Sequence, residues 1–297
     1  MDLKLMKKLC QLNEDQLYKI LINCLDEKYN KIVVKQEYIM AEGTIPIFLI
    51  AHLDTVFKTT PSEDSFIYDQ EKQILWSPGG SGFDDRAGVY IILELIMRGY
   101  RPHILFTRGE EIGGIGARDL IKDYPNCPYN CHALIQLDRA YNNDCVFYDC
   151  DNKDFTKYIE SFGFEESWGT FSDISIVAPS WKIAAVNLSV GYVDEHNTCE
   201  RLYCSCCDET IEKVSKILDA GSDMKHYKYV MRKPQYRFGV SSQSRDPFDP
   251  RFCLICGNKI KPASRVLISD EEFPYYVCPS CYKTYYTDVE EIVPFDF

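Results

Sequence analysis

Two histidines and a set of carboxylates fall where apolar, strand-like runs of the chain stop. IPIFLIA runs into His52 and Asp54, HILFTRG into Glu110 and Glu111, ALIQL into Asp138 and AAVNLSVGYVDE into His196, while Asp84 and Asp85 stand in the turn before a long apolar helix. Strand ends at one edge of a parallel sheet bring distant residues together, so these groups could share one site. Two imidazoles with several carboxylates, and no suitable thiolate at these ends, suit a borderline divalent ion: zinc above all, with manganese or cobalt as alternatives. Five ligands serve two ions only if one carboxylate bridges them. Two cations about 3.5–4 Å apart would hold a hydroxide and a carbonyl oxygen together, making a nucleophile at neutral pH and polarising the electrophile. Such a site needs a general base that is not a ligand. Consecutive Glu110 and Glu111 supply both roles, because neighbours on a turn point differently. In His52-Leu53-Asp54 the period of two lets Asp54 orient the imidazole.

A second constellation lies near the C-terminus. Cys253-Leu-Ile-Cys256 and Cys278-Pro-Ser-Cys281 have the spacing of a four-cysteine structural zinc site, and RVLISDEEFPYYV between them reads as a β-ribbon. Four thiolates close the coordination shell, so this ion would hold together a module too small to fold on its own core.

The elements that must position these groups alternate. Residues 2–28 are helical, with Asn13 able to cap a second helix, and SFIYDQEKQILWS suggests a hairpin. Strands KIVVKQEYIMAEG, IPIFLIAH, HILFTR, CHALIQLD, DCVFYD and KIAAVNLSVG are interspersed with helices at GFDDRAGVYIILELIMRGY, at IGARDLIKDY, near 152–162 and from Asp208, a plausible N-cap, to Ala220; the segment FSDISIVAPS precedes the last strand. This order predicts a three-layer α/β/α sandwich with a mixed, mostly parallel central sheet, plus the small zinc-ribbon module. The domains are expected at 1–222, a basic and aromatic linker at 223–250, and the ribbon at 251–297. His103 and His132, inside or beside strands, read as core or surface residues. The ten other cysteines, including Cys204, Cys206 and Cys207, read as reduced and mostly buried.

With 45 acidic and 33 basic residues the net charge is −12, which disfavours a general nucleic-acid or anionic-membrane binder. The mean hydropathy is −0.26, with no apolar run of membrane-spanning length and no secretory signal at the start, so a cytoplasmic protein is expected. The ribbon holds five basic against seven acidic residues, which leaves a protein partner more favoured there than nucleic acid. The basic stretch KHYKYVMRKPQYRF reads as a surface strand or linker packing on an acidic domain.

The motifs AHLDTV, GFDDRAG, TRGEEIGGIGA, LIQLDRA and VDEHNTCE, in this order, resemble those of the co-catalytic di-zinc exopeptidases, over about residues 46–215. The resemblance implies that His52, Asp84 and Asp138 hold one ion and Asp84, Glu111 and His196 the other, with Asp84 bridging. It implies Glu110 as general base and acid, Asp54 as orienting residue, and Asp85 as the neighbour that helps set the peptide after the bridge. Tyr192 would lie near an oxyanion, and Glu200 would be structural or sit near a substrate amine. Relatives of the carboxypeptidase and deacylase type insert a lid between the last aspartate and histidine, for which 139–195 leaves little room. The implied function is hydrolysis of a peptide or small amide, most like an aminopeptidase using a di-zinc hydroxide; a deacylase of N-acyl amino acids and a non-catalytic adaptor are the alternatives.

Overall fold

Side-chain caps start the first two helices. Asp2 accepts from the amides of Lys4 and Leu5 ahead of α1 (Leu3–Gln11), and Asn13 forms a capping box with Gln16 ahead of α2 (Glu14–Lys28). The computed structural model describes residues 1–232 and, beyond them, 260, 261, 264, 266–268, 275–277 and 279. After α2 come β1 (Ile32–Val34), β2 (Tyr38–Ala41) and β3 (Ile45–His52), then the hairpin β4 (Ile67–Asp69) and β5 (Ile74–Trp76). The chain continues as α3 (Phe83–Met97), β6 (Pro102–Thr107), α4 (Ile115–Asp123), β7 (Ala133–Arg139), β8 (Asp144–Val146), α5 (Lys153–Glu160) and β9 (Glu165–Glu166). It closes with α6 (Ile174–Trp181), β10 (Ala185–Ser189), β11 (Tyr192–Val193), β12 (Arg201–Tyr203) and α7 (Cys204–Asp219).

Eight strands form one sheet in the order β1-β2-β6-β3-β7-β10-β8-β9. The central four, β6, β3, β7 and β10, run parallel, and β2 and β8 flank them antiparallel. Strand alternation divides the core between the two faces. Ile47, Leu49 and Ala51 of β3 face the layer of α1, α3 and α7, while Phe48 and Ile50 face α4 and α6. This is the three-layer α/β/α sandwich the sequence predicts. A second sheet, β11-β12-β5-β4, is antiparallel throughout and ties together the loops that follow β5 and precede β12.

Two details differ from the sequence reading. The segment FSDISIVAPS holds most of a helix, α6, that tolerates Pro179. The last helix starts at Cys204, because the Cys204 amide donates to Gln73 at 2.9 Å and β12 leads directly into it; Asp208 instead pairs with the Met1 ammonium at 2.8 Å. Ten cysteines are free among the described residues, Cys199 alone of them exposed. The stretch after α7 lies on the domain: Tyr227 packs against Phe155, Lys225 pairs with Asp154 and Arg232 with Glu166. One compact unit accordingly runs over Met1–Lys233. A second spans Pro234–Phe297, where β13 (Val266–Ile268) pairs antiparallel with β14 (Tyr275–Val277); Cys253, Cys256, Cys278 and Cys281 lie outside the described residues. Among the described residues no helix is long and apolar enough to cross a membrane.

His103 is a core residue, as its strand position suggests. Its Nδ1 accepts from the Gly43 amide at 3.0 Å, its Nε2–H donates to the Asn130 carbonyl at 2.9 Å, and its ring packs against both Phe48 and Tyr129. Burial lowers its pKa below the usual 6.5, so the native fold holds it neutral. Its contribution is complete above that unfolded-state value and is lost as pH falls below it. Between about pH 7.5 and about pH 5 the urea midpoint should fall further for the wild type than for His103→Gln; equal falls would show that the ring imposes no such penalty.

Candidate metal centre

The carboxyl ends of the parallel strands gather the predicted groups. His52 ends β3, Asp138 lies at the end of β7, and Glu110 and Glu111 follow β6. Asp84 arrives from the start of α3, which approaches β7 so closely that a Cβ on Gly88 would come 1.9 Å from the Leu137 carbonyl oxygen. Only glycine permits that approach. His196 comes from the loop between β11 and β12, and both His196 and Asp194 have left-handed backbones, φ +62° and +58°. Such conformations are sparsely populated by non-glycine residues and concentrate at functional sites.

Asp84 is the centre of the arrangement. Its Oδ1 lies 3.0 Å from His52 Nε2, and its Oδ2 lies 3.2 Å from His196 Nε2. Asp138 Oδ1 completes the first group at 3.3 Å from His52 Nε2; Glu111 Oε2 completes the second at 2.9 Å from His196 Nε2. One carboxylate therefore turns one oxygen to each imidazole. His52, Asp84 and Glu111 can each offer a ligand atom within 4.8 Å of one another, as can His52, Asp85 and Asp138. Asp85, however, is already used by the backbone, accepting from the amides of His52 at 3.2 Å and Gly88 at 2.9 Å. The Asp84–Asp85 peptide is cis.

Each donor is held by a further set of contacts. His52 Nδ1 faces the Asp54 carbonyl at 3.2 Å, which leaves Nε2 for the site. The Asp54 carboxylate lies 3.5 Å from the same Nδ1 and accepts from the amides of Glu110 at 3.1 Å and Glu111 at 3.0 Å, so it ties His52 to the glutamate turn. Asp138 sits in a polar network that sequence reasoning missed. Gln136 Nε2–H donates to Asp138 Oδ2 at 3.0 Å, Asn187 Oδ1 accepts from the Asp138 amide at 3.0 Å, and Ser172 hydrogen-bonds Gln136. The signal was present: Gln136 and Asn187 are amides inside largely apolar, fully buried strand segments, ALIQL and AVNLS.

Tyr192 and Glu200 belong to the same hydrogen-bonded framework. Tyr192 is buried, its hydroxyl donating to the Asp138 carbonyl at 3.0 Å and lying 3.3 Å from Asp138 Oδ1. Glu200 is fully buried and accepts from the amides of Ser81 at 3.1 Å and Asp84 at 3.0 Å, one on each oxygen, which is a structural role.

The electrostatics show how crowded the site is. Burial, reinforced by Asp138, Asp173 and Glu111, pushes the Glu110 carboxyl up to about 9, although His52 opposes it. Burial likewise raises Asp138 to about 7 and Glu200 to about 7. Asp84 moves the other way: burial opposes its charge, but hydrogen bonds from His196 and His52 hold it well below the usual carboxylate range. The carboxylates of Asp84 and Glu111 raise His196 to about 11. Several carboxyls crowd against only two imidazoles, and the raised Glu110 and Asp138 carboxyls record a cost of ionisation that bound cations would relieve.

No family model and no curated protein matches the chain by sequence. Solved structures do match. A tripeptidase from Staphylococcus aureus aligns with a TM-score of 0.62 at 14% identity, over 74% of this chain and 98% of that one. Aminopeptidase PepT from Bacillus cereus gives 0.60 at 14% identity, over 73% and 97%. A TET aminopeptidase from a Thaumarchaeota archaeon gives 0.54 at 12% identity, over 72% and 95%. At these identities the likeness is one of fold: the chain shares the α/β/α architecture of these peptidases across almost their whole length.

Removing the Glu200 acceptor should expose the logic of the Asp84 turn. Glu200→Ala strands two buried amides and is expected to lower the unfolding free energy of the metal-free protein by about 1–3 kcal/mol in urea titrations, with Glu200→Gln, which keeps one acceptor oxygen, losing less. Full stability in the alanine variant would mean that those amides find other partners.

Proposed function

We propose that this chain is a zinc-dependent metallohydrolase of peptide bonds, an aminopeptidase with two co-catalytic ions. His52, Asp84 and Asp138 would hold one ion and Asp84, Glu111 and His196 the other. The observation that carries the reading is the Asp84 carboxylate, with one oxygen 3.0 Å from His52 Nε2 and the other 3.2 Å from His196 Nε2. That is the disposition of a bridging ligand, and the surplus of buried carboxylate around it is what two cations would offset. Nitrogen and oxygen donors of this kind suit zinc, with manganese or cobalt as substitutes.

Bound there, the cations would supply Lewis acidity, polarising the peptide carbonyl and the attacking water. The protein's own part is to move a proton. Glu110 belongs to neither imidazole group; without cations its carboxyl is raised to about 9, and cations held beside it would lower that and leave an ionised carboxylate able to accept a proton. It would take the proton of the attacking water on its carboxylate and deliver it to the leaving amine nitrogen. Asp54 would keep His52 and the Glu110–Glu111 turn in register through its contacts to both.

The aminopeptidase reading is favoured over a lid-bearing deacylase because residues 139–195 are used by the core, as β8, α5, β9, α6, β10 and β11. It is favoured over a non-catalytic adaptor because the sequence holds all five ligand candidates and Glu110. The same proposal divides the chain into a catalytic part at 1–222, a linker at 223–250 whose first ten residues pack on that part, and a zinc ribbon at 251–297, with Cys253, Cys256, Cys278 and Cys281 on one structural ion and a protein partner for the ribbon. It also sets the chain in the cytoplasm, with peptides or small amides as substrates.

Two measurements test it. Glu110→Gln should lose turnover of aminoacyl substrates by about 100-fold or more while retaining the metal content of the wild type; retained activity would remove Glu110 from the role. Metal analysis of the full chain should find about three ions, two released readily by a chelator, and Asp84→Ala should lose both labile ions because each shares that carboxylate. One ion in total would sink the two-metal reading.

A further inference from the structure

Two of the ten free cysteines among the described residues meet at their thiols. Cys127 and Cys131 lie in the loop between α4 and β7, and their side chains hydrogen-bond each other. The fold holds both ends of that loop. At its start the Trp181 Nε1–H donates to the Tyr124 carbonyl at 2.8 Å; at its end the Asn130 carbonyl accepts from His103 at 2.9 Å, and the Cys131 carbonyl lies 3.0 Å from His226 Nδ1. Between these anchors the chain bends at Pro128 and Tyr129, and the Cys127 S–H reaches the Tyr129 carbonyl at 3.4 Å. The meeting of the two sulfurs is therefore set by neighbouring elements as well as by the short loop.

The two thiols are not equivalent. Cys127 is half-buried and follows exposed Pro125 and Asn126, whereas Cys131 is buried in the core on the α4 and α6 face of the sheet. The hydrogen bond from Cys131 lowers the Cys127 pKa against the effect of burial; burial, together with the same hydrogen bond, raises Cys131 well above the usual thiol value. An accessible thiolate backed by an inaccessible thiol suits disulfide exchange, in which one sulfur attacks and the other resolves. We propose that Cys127 and Cys131 form a thiol–disulfide site, oxidised reversibly to an intramolecular disulfide by a low-molecular-weight disulfide such as oxidised glutathione. The Cys127 thiolate attacks one sulfur of that disulfide and expels one thiolate, which takes up the proton that Cys127 gave up. The Cys131 thiol, losing its proton, then attacks the Cys127 sulfur of the mixed disulfide and expels the second thiolate, which takes that proton. One disulfide bond forms in the chain, one breaks in the oxidant, and the oxidant leaves as two thiols. Because both cysteines share one anchored loop, the second step has a high effective concentration and the mixed disulfide is short-lived. The site is separate from the metal centre. Cys131 precedes β7 and Asp138 lies near the far end of that strand, about 20 Å away at roughly 3.3 Å per residue, so the inference does not rest on the peptidase reading.

Peptide mapping by mass spectrometry tests it. The zinc-loaded full chain is reduced, freed of reductant, incubated with oxidised glutathione and alkylated with N-ethylmaleimide in acidic urea. The 127–131 disulfide is expected to accumulate at least about tenfold faster than any other pairing of the ten cysteines, and to disappear on adding dithiothreitol. Before oxidation, iodoacetamide should label Cys127 in the native protein at least about tenfold faster than Cys131. Cys131→Ser should arrest the exchange with glutathione attached to Cys127, and Cys127→Ser should leave Cys131 unmodified. Both cysteines remaining open to alkylation after oxidation of the wild type, or Cys127 linked to a different cysteine, would overturn the site. A glutathione adduct on Cys131 in the Cys127→Ser variant would overturn the assigned roles, and the wild-type map decides the pairing even where a variant folds poorly.

Discussion

Asp84 has to be an ionised carboxylate inside a protein, within reach of two imidazoles and near at least four other acids. Everything around it can be understood as a way to meet that requirement. Burial alone would protonate it, as it tends to do to Glu110 and Asp138. The hydrogen bonds from His196 and His52 reverse the balance for Asp84 and hold its charge. The backbone takes part as well, since the Asp84 amide is anchored by Glu200 and the next residue, Asp85, accepts from the amides of His52 and Gly88. The result is a carboxylate whose two oxygens have different neighbours and fixed directions.

Holding such a group in place demands rigid walls on all sides. Asp138 is fixed through Gln136, Asn187 and Tyr192, three polar side chains that would be costly in a buried sheet if they did not satisfy one another. Arg86, itself buried, donates to the carbonyls of Leu9, Leu12 and Leu53, and so joins the ends of α1 and β3 beneath the site without neutralising any of its carboxylates directly. The small antiparallel sheet has a comparable purpose. By pairing β5 with β12 it brings the loop before Asp84 and the loop after His196 together, and Glu200, immediately ahead of β12, closes the join.

Much of this was legible in the residues. Alternating apolar runs and caps announced the α/β layers, and the order of the acid and histidine motifs marked the strand ends at which carboxylates and imidazoles meet. The departures have physical causes. The Asp208 cap gave way because β12 delivers the chain straight into a helix at Cys204. Tyr192 and Glu200 neighbour His196 in sequence, and both side chains pair with buried backbone groups, which is the structural role the sequence also allowed Glu200. Gln136 and Asn187 escaped notice because a single amide in an apolar strand has no partner visible in one dimension.

The sequence by itself determined the ligand chemistry and the layering, because residue type sets what an atom can bind and the period of apolar residues sets which face is buried. Only the tertiary structure decided that the Asp84 carboxylate divides its oxygens between His52 and His196, that Glu200 serves the backbone, and that Phe171 lies on Gly114 beside the glutamates. Those are distances between residues far apart in the chain. They arise when several strands and loops, each specified locally, are packed at once, and no local pattern encodes the sum.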